Sequence, residues 1–77
     1  KVEVDFYVPE EELAIQVSYS MAHSEDTFER EIKALKKLPN VLPCKRRLVM
    51  TNDESGTLED DFGVIEIMPV WKWLLQG

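Results

Sequence analysis

What most constrains this chain is a matched pair of alternating segments on either side of one short turn. Val2, Val4, Phe6 and Val8 alternate with Glu3, Asp5 and Tyr7, and Leu13, Ile15, Val17 and Tyr19 alternate with Ala14, Gln16, Ser18 and Ser20. Between them Pro9-Glu10-Glu11-Glu12 reads as a tight connection, so the two segments form an antiparallel hairpin. In a hairpin centred there, paired positions sum to about 21, which sets Asp5 against Gln16 and Glu3 against Ser18. A carboxylate beside an amide oxygen on a polar sheet face is a donor pair for a hard divalent cation. It is equally an ordinary wet sheet face.

With 77 residues the chain makes one domain at most. A chain this short gets limited burial from its own core, so help from a partner surface is expected. It lacks an initiating Met and starts inside the first strand pattern, as expected of a piece excised from a longer protein. The net charge of −6 argues against independent, nonspecific DNA binding, which depends on clustered cations. Cys44 is the single cysteine; it excludes an internal disulfide and any Cys-based zinc site, and it suits a reducing compartment. No apolar run approaches bilayer length and no signal-peptide pattern is present, so no membrane is expected and a cytoplasmic location is the default.

After the hairpin, Phe28, Ile32, Leu35 and Leu38 recur at helical spacing, and the pattern predicts a helix over 25–38. Glu25 and Asp26 at its start and Lys36 and Lys37 at its end suit the helix dipole, and Pro39-Asn40 stops it. Arg47-Leu48-Val49-Met50-Thr51 is nearly continuous in apolar character, as an interior strand covered on both faces is. A strand–helix–strand unit makes this strand parallel to the second, through a right-handed connection. Asn52 to Gly63 reads as an acidic loop, Val64 to Met68 as a fourth strand, and Val70 to Gln76 as a final helix with Pro69 in its first turn. The expectation is an α/β domain with a small mixed sheet in the order β-β-α-β-β-α.

Several strings now become recognisable. Glu3-Val4-Asp5-Phe6, Ile15-Gln16-Val17-Ser18 and Pro69-Val70-Trp71-Lys72-Trp73-Leu74-Leu75 together resemble the C-terminal domain of a group of prokaryotic AAA-type ATPases. Glu29-Arg30-Glu31 with Ala34-Leu35, and Cys44-Lys45-Arg46-Arg47-Leu48, fit the same pattern. The resemblance covers nearly all of residues 1–77 and implies a single C-terminal domain, preceded in the parent by a P-loop ATPase. It also implies a core similar to restriction endonucleases and archaeal Holliday-junction resolvases, truncated here at the N-terminus. In that superfamily an Asp on one strand and a Glu/Gln-x-Lys triplet on the next hold Mg²⁺ and a water. Carried over, Asp5 is that Asp, and Gln16-Val17-Ser18 is the triplet.

The departure is at Ser18, where the pattern requires Lys. Serine lacks the charge and reach to stabilise developing negative charge, and losing such a group typically costs about 10²–10⁴ in rate. With Gln16 neutral, Asp5 supplies the formal charge and Glu3 is the nearby carboxylate that could compensate, so Mg²⁺ binding is expected to be weak. No P-loop occurs in these residues, so ATP belongs to the missing N-terminal part.

Outside this site, Lys36, Lys37, Lys45, Arg46 and Arg47 form a candidate phosphate-binding patch, against the plainer reading of a helix C-terminus and a wet strand end. His23 reads as a solvated loop histidine and Cys44 as a small buried hydrophobe. Trp71 and Trp73 lie about 200° apart on a helix, so one packs on the sheet while the other stays near the surface. Three functions follow. A degenerate nuclease-like module for interaction or regulation leads, ahead of an active Mg²⁺-dependent nuclease or resolvase and of a purely structural cap on the ATPase or its oligomer.

Overall fold

A computed structural model describes residues 2–18 and 25–76. The elements run β1 (Phe6–Val8), β2 (Leu13–Val17), α1 (Glu25–Lys37), a 3-10 turn at Leu38–Asn40, β3 (Arg46–Thr51), β4 (Gly56–Asp60), β5 (Gly63–Pro69) and α2 (Val70–Gln76). The five strands form one mixed sheet in the order β1-β2-β3-β5-β4. β2, β3 and β5 are mutually parallel, and each edge strand pairs antiparallel with its neighbour. The fold is therefore mixed α/β, with a five-stranded sheet and two helices.

The hairpin register is the expected one, pairing Phe6 with Ile15, Tyr7 with Ala14 and Val8 with Leu13. Its ladder is shorter than the alternation suggests, because the chain bends at Asp5. Val2, Val4 and Tyr7 all pack on one side of the sheet while Val8 packs on the other. Strict alternation over 2–8 would have kept Val2, Val4 and Val8 together, so the period-2 pattern holds only from Phe6 onward. Glu12 turns the chain back in the left-handed region, at φ 51, and its carbonyl accepts the amides of Lys45 and Arg46 at 2.8 and 3.2 Å. The turn is thus bolted to the start of β3.

Each sheet face has its own core. Facing α1, Ala14, Val49, Ile65 and Ile67 bury against Ile32, Leu35 and Leu38. The opposite face gathers Leu13, Ile15, Leu48, Met50 and Met68 around Trp73 of α2. β3 lies between both cores, which explains its unbroken apolar run. A fully buried Leu contributes roughly 1.5–3 kcal/mol, so Leu35 and Leu48, each with no exposed surface, are principal anchors of the two layers.

The segment expected to be an acidic loop contains β4. Thr51 closes the turn before it, its hydroxyl donating to the Glu54 carbonyl at 2.6 Å and accepting the Glu54 amide at 3.0 Å. After it, Asp60 and Gly63 pair across a two-residue turn, and Gly63 adopts φ 123, where an L side chain would be strained. Leu58 is the one apolar side chain of β4 that packs inward, so the hydrophobic signal for a strand is weak. Pro69, expected in the helix's first turn, instead ends β5 opposite Thr51, and α2 begins at Val70. No helix among the described residues is long and apolar enough to cross a membrane.

Candidate functional site

Asp5 and Gln16 do meet, through hydrogen bonds that continue the hairpin beyond its ladder. The Asp5 amide donates to Gln16 Oε1 at 2.9 Å, and the Val17 amide donates to Asp5 Oδ2 at 2.8 Å. Gln16 Nε2 donates to the Glu31 carbonyl on α1 at 3.3 Å. The wet sheet face considered from the sequence is covered on its β2 half, where Gln16 is 4 % exposed and Ser18 is 7 % exposed, while Glu3 and Asp5 stay at the surface. The reason is α1, whose apolar stripe lies on the side of the sheet that carries Ala14 and Gln16. Ser18 continues the β2–β3 ladder, its amide donating to the Met50 carbonyl at 2.8 Å. Glu3 is not paired with Ser18 in the ladder; it lines the adjoining cleft instead.

That cleft, about 560 Å³, runs between the N-terminal segment and α1 and is lined by Glu3, Asp5, Gln16, Glu31, Leu38 and Leu42. Glu31 is the member that the alternation argument missed. Its Oε2 is buried with no hydrogen-bond partner. Burial, reinforced by the negative charge of Asp5 and opposed by Arg30, raises the Glu31 carboxyl above its ordinary pKa. A signal for it exists in the sequence. At 3.6 residues per turn Glu31 falls about 300° from Phe28, between Leu38 at about 280° and Leu35 at about 340°, so it sits inside the apolar stripe.

The donors at this site are heavily committed. One Asp5 oxygen accepts a backbone amide, and the Gln16 amide serves Asp5 with one end and α1 with the other. A cation at this cleft would draw on the second Asp5 oxygen and on Glu31, with Glu3 at the margin. Among the described residues no group of three or more His, Cys, Asp or Glu side chains is disposed to hold a metal ion. What the arrangement does is fasten the N-terminal segment to β2 and α1.

The basic patch read from the sequence is broken up by pairing. Arg47 is 2 % exposed; its guanidinium makes two 2.7 Å hydrogen bonds to the Asp60 carboxylate and a 3.2 Å bond to the Leu35 carbonyl. This pairing holds the Asp60 carboxyl below the ordinary carboxylate range. Arg46 points to the other face, where Nε and Nη2 reach Glu66 at 2.6 and 3.1 Å and the guanidinium stacks 5.1 Å from the Trp73 ring centre. Lys36, Lys37 and Lys45 remain at the surface. Arg47 is therefore enclosed with its partner, whereas Arg46, paired with Glu66, keeps more than a third of its side chain exposed. Asp60 and Glu66 escaped the sequence reading because their partners are non-local.

Cys44 is half-buried and packs beside the α1-side core, and burial pushes its thiol pKa up, away from nucleophile chemistry. Trp73 packs on the sheet and Trp71 lies outside, as their spacing requires. His23 lies outside the described residues.

No protein-family model matches the chain, and no solved structure matches it. A Methanocaldococcus jannaschii protein described as uncharacterized is 39% identical over 80 aligned residues, covering 95% of this chain and 18% of that protein. The chain thus spans less than a fifth of that relative's length.

Proposed function

We propose that this chain is the C-terminal module of a prokaryotic AAA-type ATPase, built on a restriction-endonuclease-like sheet, and that it serves interaction or regulation instead of cleaving nucleic acid. The observation that carries this reading is the internal bonding of Asp5 and Gln16 beside a buried Ser18. Positions that would ligate a cation in an active nuclease here bond the backbone of the neighbouring strand. The position that would carry a lysine holds a hydroxyl with no charge to stabilise a phosphorane-like transition state. An antiparallel β1–β2 pair followed by the parallel β2–α1–β3 crossover supports the architectural half of the reading. The long relative supports the idea of a larger parent. ATP binding and turnover belong to the part of the parent outside these 77 residues.

The test is direct. Incubated with Mg²⁺ or Mn²⁺, the chain is expected to leave duplex, branched and single-stranded DNA intact. Cleavage that vanishes on Asp5→Ala overturns the reading. The full-length polypeptide is expected to hydrolyse ATP; a parent without that activity removes the ATPase context.

Glu31 favours one alternative. A buried carboxylate oxygen without a partner, near Asp5, is the second charge that a Mg²⁺-dependent nuclease or resolvase would need. Under that reading Mg²⁺ or Mn²⁺ shifts the amide resonances of Glu3, Asp5, Gln16, Val17 and Glu31 first. Shifts confined to Asp53–Asp61 would instead mean that the cation follows surface charge.

A further inference from the structure

We propose that the outward face of α2, formed by Trp71, Leu74 and Leu75, is the surface by which this domain docks onto the ATPase body of its own polypeptide. This rests on the reading of the chain as an ATPase module and adds the surface that makes the contact. The three residues follow i, i+3, i+4 spacing and so share one side of the helix. They are 55 %, 71 % and 80 % exposed, an inversion of the usual amphipathic arrangement. Trp73, on the other side, is the α2 residue packed into the core. A seven-residue helix is too short to be stable on propensity, so its apolar outer face brings nothing to its own formation.

Area and charge choose among occupants. The outward face of so short a helix offers on the order of 400 Å² per partner, about half of what a free-standing specific interface buries. A second copy would have to associate through this small patch while bringing another net charge of −6. A tethered partner needs far less area, because the linker supplies an effective concentration near millimolar. The relative fits that geometry, since its matched segment is 18% of a much longer polypeptide. Glu11 and Arg46 border the same rim as Leu74, so the margin carries both signs and the receiving surface is chiefly apolar.

The test uses the full-length polypeptide and hydrogen exchange. Amides of 73–76 are expected to exchange about tenfold more slowly in the wild type than in Leu75→Glu, while β3 amides stay unchanged and so report an intact fold. Leu74→Glu gives the same result by a second route. Equal exchange in wild type and both variants overturns the proposal. Protection that grows with protein concentration, with a doubled mass in sedimentation, assigns the face to a second copy and also overturns it. A parent that hydrolyses ATP but leaves these amides fast refutes the docking alone. Leu75-dependent protection in a parent without ATPase activity refutes the ATPase reading and leaves an intramolecular docking surface of another kind.

Discussion

Arg46 and Arg47 are neighbours on β3, yet the two faces of the sheet use them in opposite ways. On the α1 side, Arg47 and Asp60 are 2 % and 13 % exposed, and their pair is enclosed by a thirteen-residue helix and a full apolar layer. On the α2 side, Arg46 and Glu66 are 38 % and 33 % exposed under a seven-residue helix that turns most of its large side chains outward. The same chemistry is structural on one face and almost incidental on the other. One face is finished within these residues, whereas the other leaves apolar surface exposed.

Breaking the finished face should cost most. Asp60→Ala strands a buried guanidinium and is expected to destabilise by about 3–5 kcal/mol in chemical denaturation. Because pairing depresses the Asp60 pKa, its contribution is present above the ordinary carboxylate range and is lost as pH falls through the folded value. Leu35→Ala, at a site with no exposed surface, should cost about 2–5 kcal/mol. If either variant unfolds at the wild-type denaturant midpoint, the contrast between faces collapses.

Glu66→Ala tests the open face and should cost no more than about 1 kcal/mol, since solvent screens a half-exposed pair. A loss matching that of Asp60→Ala would mean that both pairs are equally structural.

Glu31 sharpens the comparison by pH. Its raised carboxyl pKa means that the folded state holds a proton longer than the unfolded chain, so stability falls as pH rises from the ordinary carboxylate range through the folded value. Above that window the penalty is complete. Glu31→Gln should therefore be more stable than wild type at neutral pH, with the advantage disappearing in acid. Thermal melts at pH 4 and pH 8 read it out, and a variant less stable than wild type at pH 8 would assign the carboxylate a partner.

The smallest effect belongs to Leu75→Ala, within about 0.5 kcal/mol for this chain. A larger loss would mean that Leu75 already has a binding site within these residues.

These contrasts also separate what was legible in the sequence from what was not. Hairpin register, the α1 stripe, the buried β3 and the bounds of α2 are local patterns, and each could be read from spacing alone. The bend at Asp5 could not, because the alternation of Val2 and Val4 continues smoothly into Phe6 while α1 draws the earlier residues to its own side. β4 was hidden by its acidic composition, since an edge strand buries little and so carries little hydrophobic signal. At the candidate site, the opposition of Asp5 and Gln16 followed from counting. The pairings of Arg47 with Asp60 and Arg46 with Glu66 join residues 13 and 20 positions apart, and no local pattern announces them. Glu31 stood in plain sight inside the helical stripe, and a carboxylate there is a local violation of the sort that marks a special position.

β4 has one more consequence, for behaviour in a crowded cell. It is one of the two outer strands of the sheet, so its unpaired backbone side could template another chain and begin an aggregate. Glu59 and Asp61 put negative charge at one end of that edge and its turn, while Asp60 is taken up by Arg47, and Asp53-Glu54 adds more just before the strand. An identical edge approaching it would meet like charge at the two ends of the strand. The acidity that hid this strand from a hydrophobic reading also works against edge-to-edge pairing.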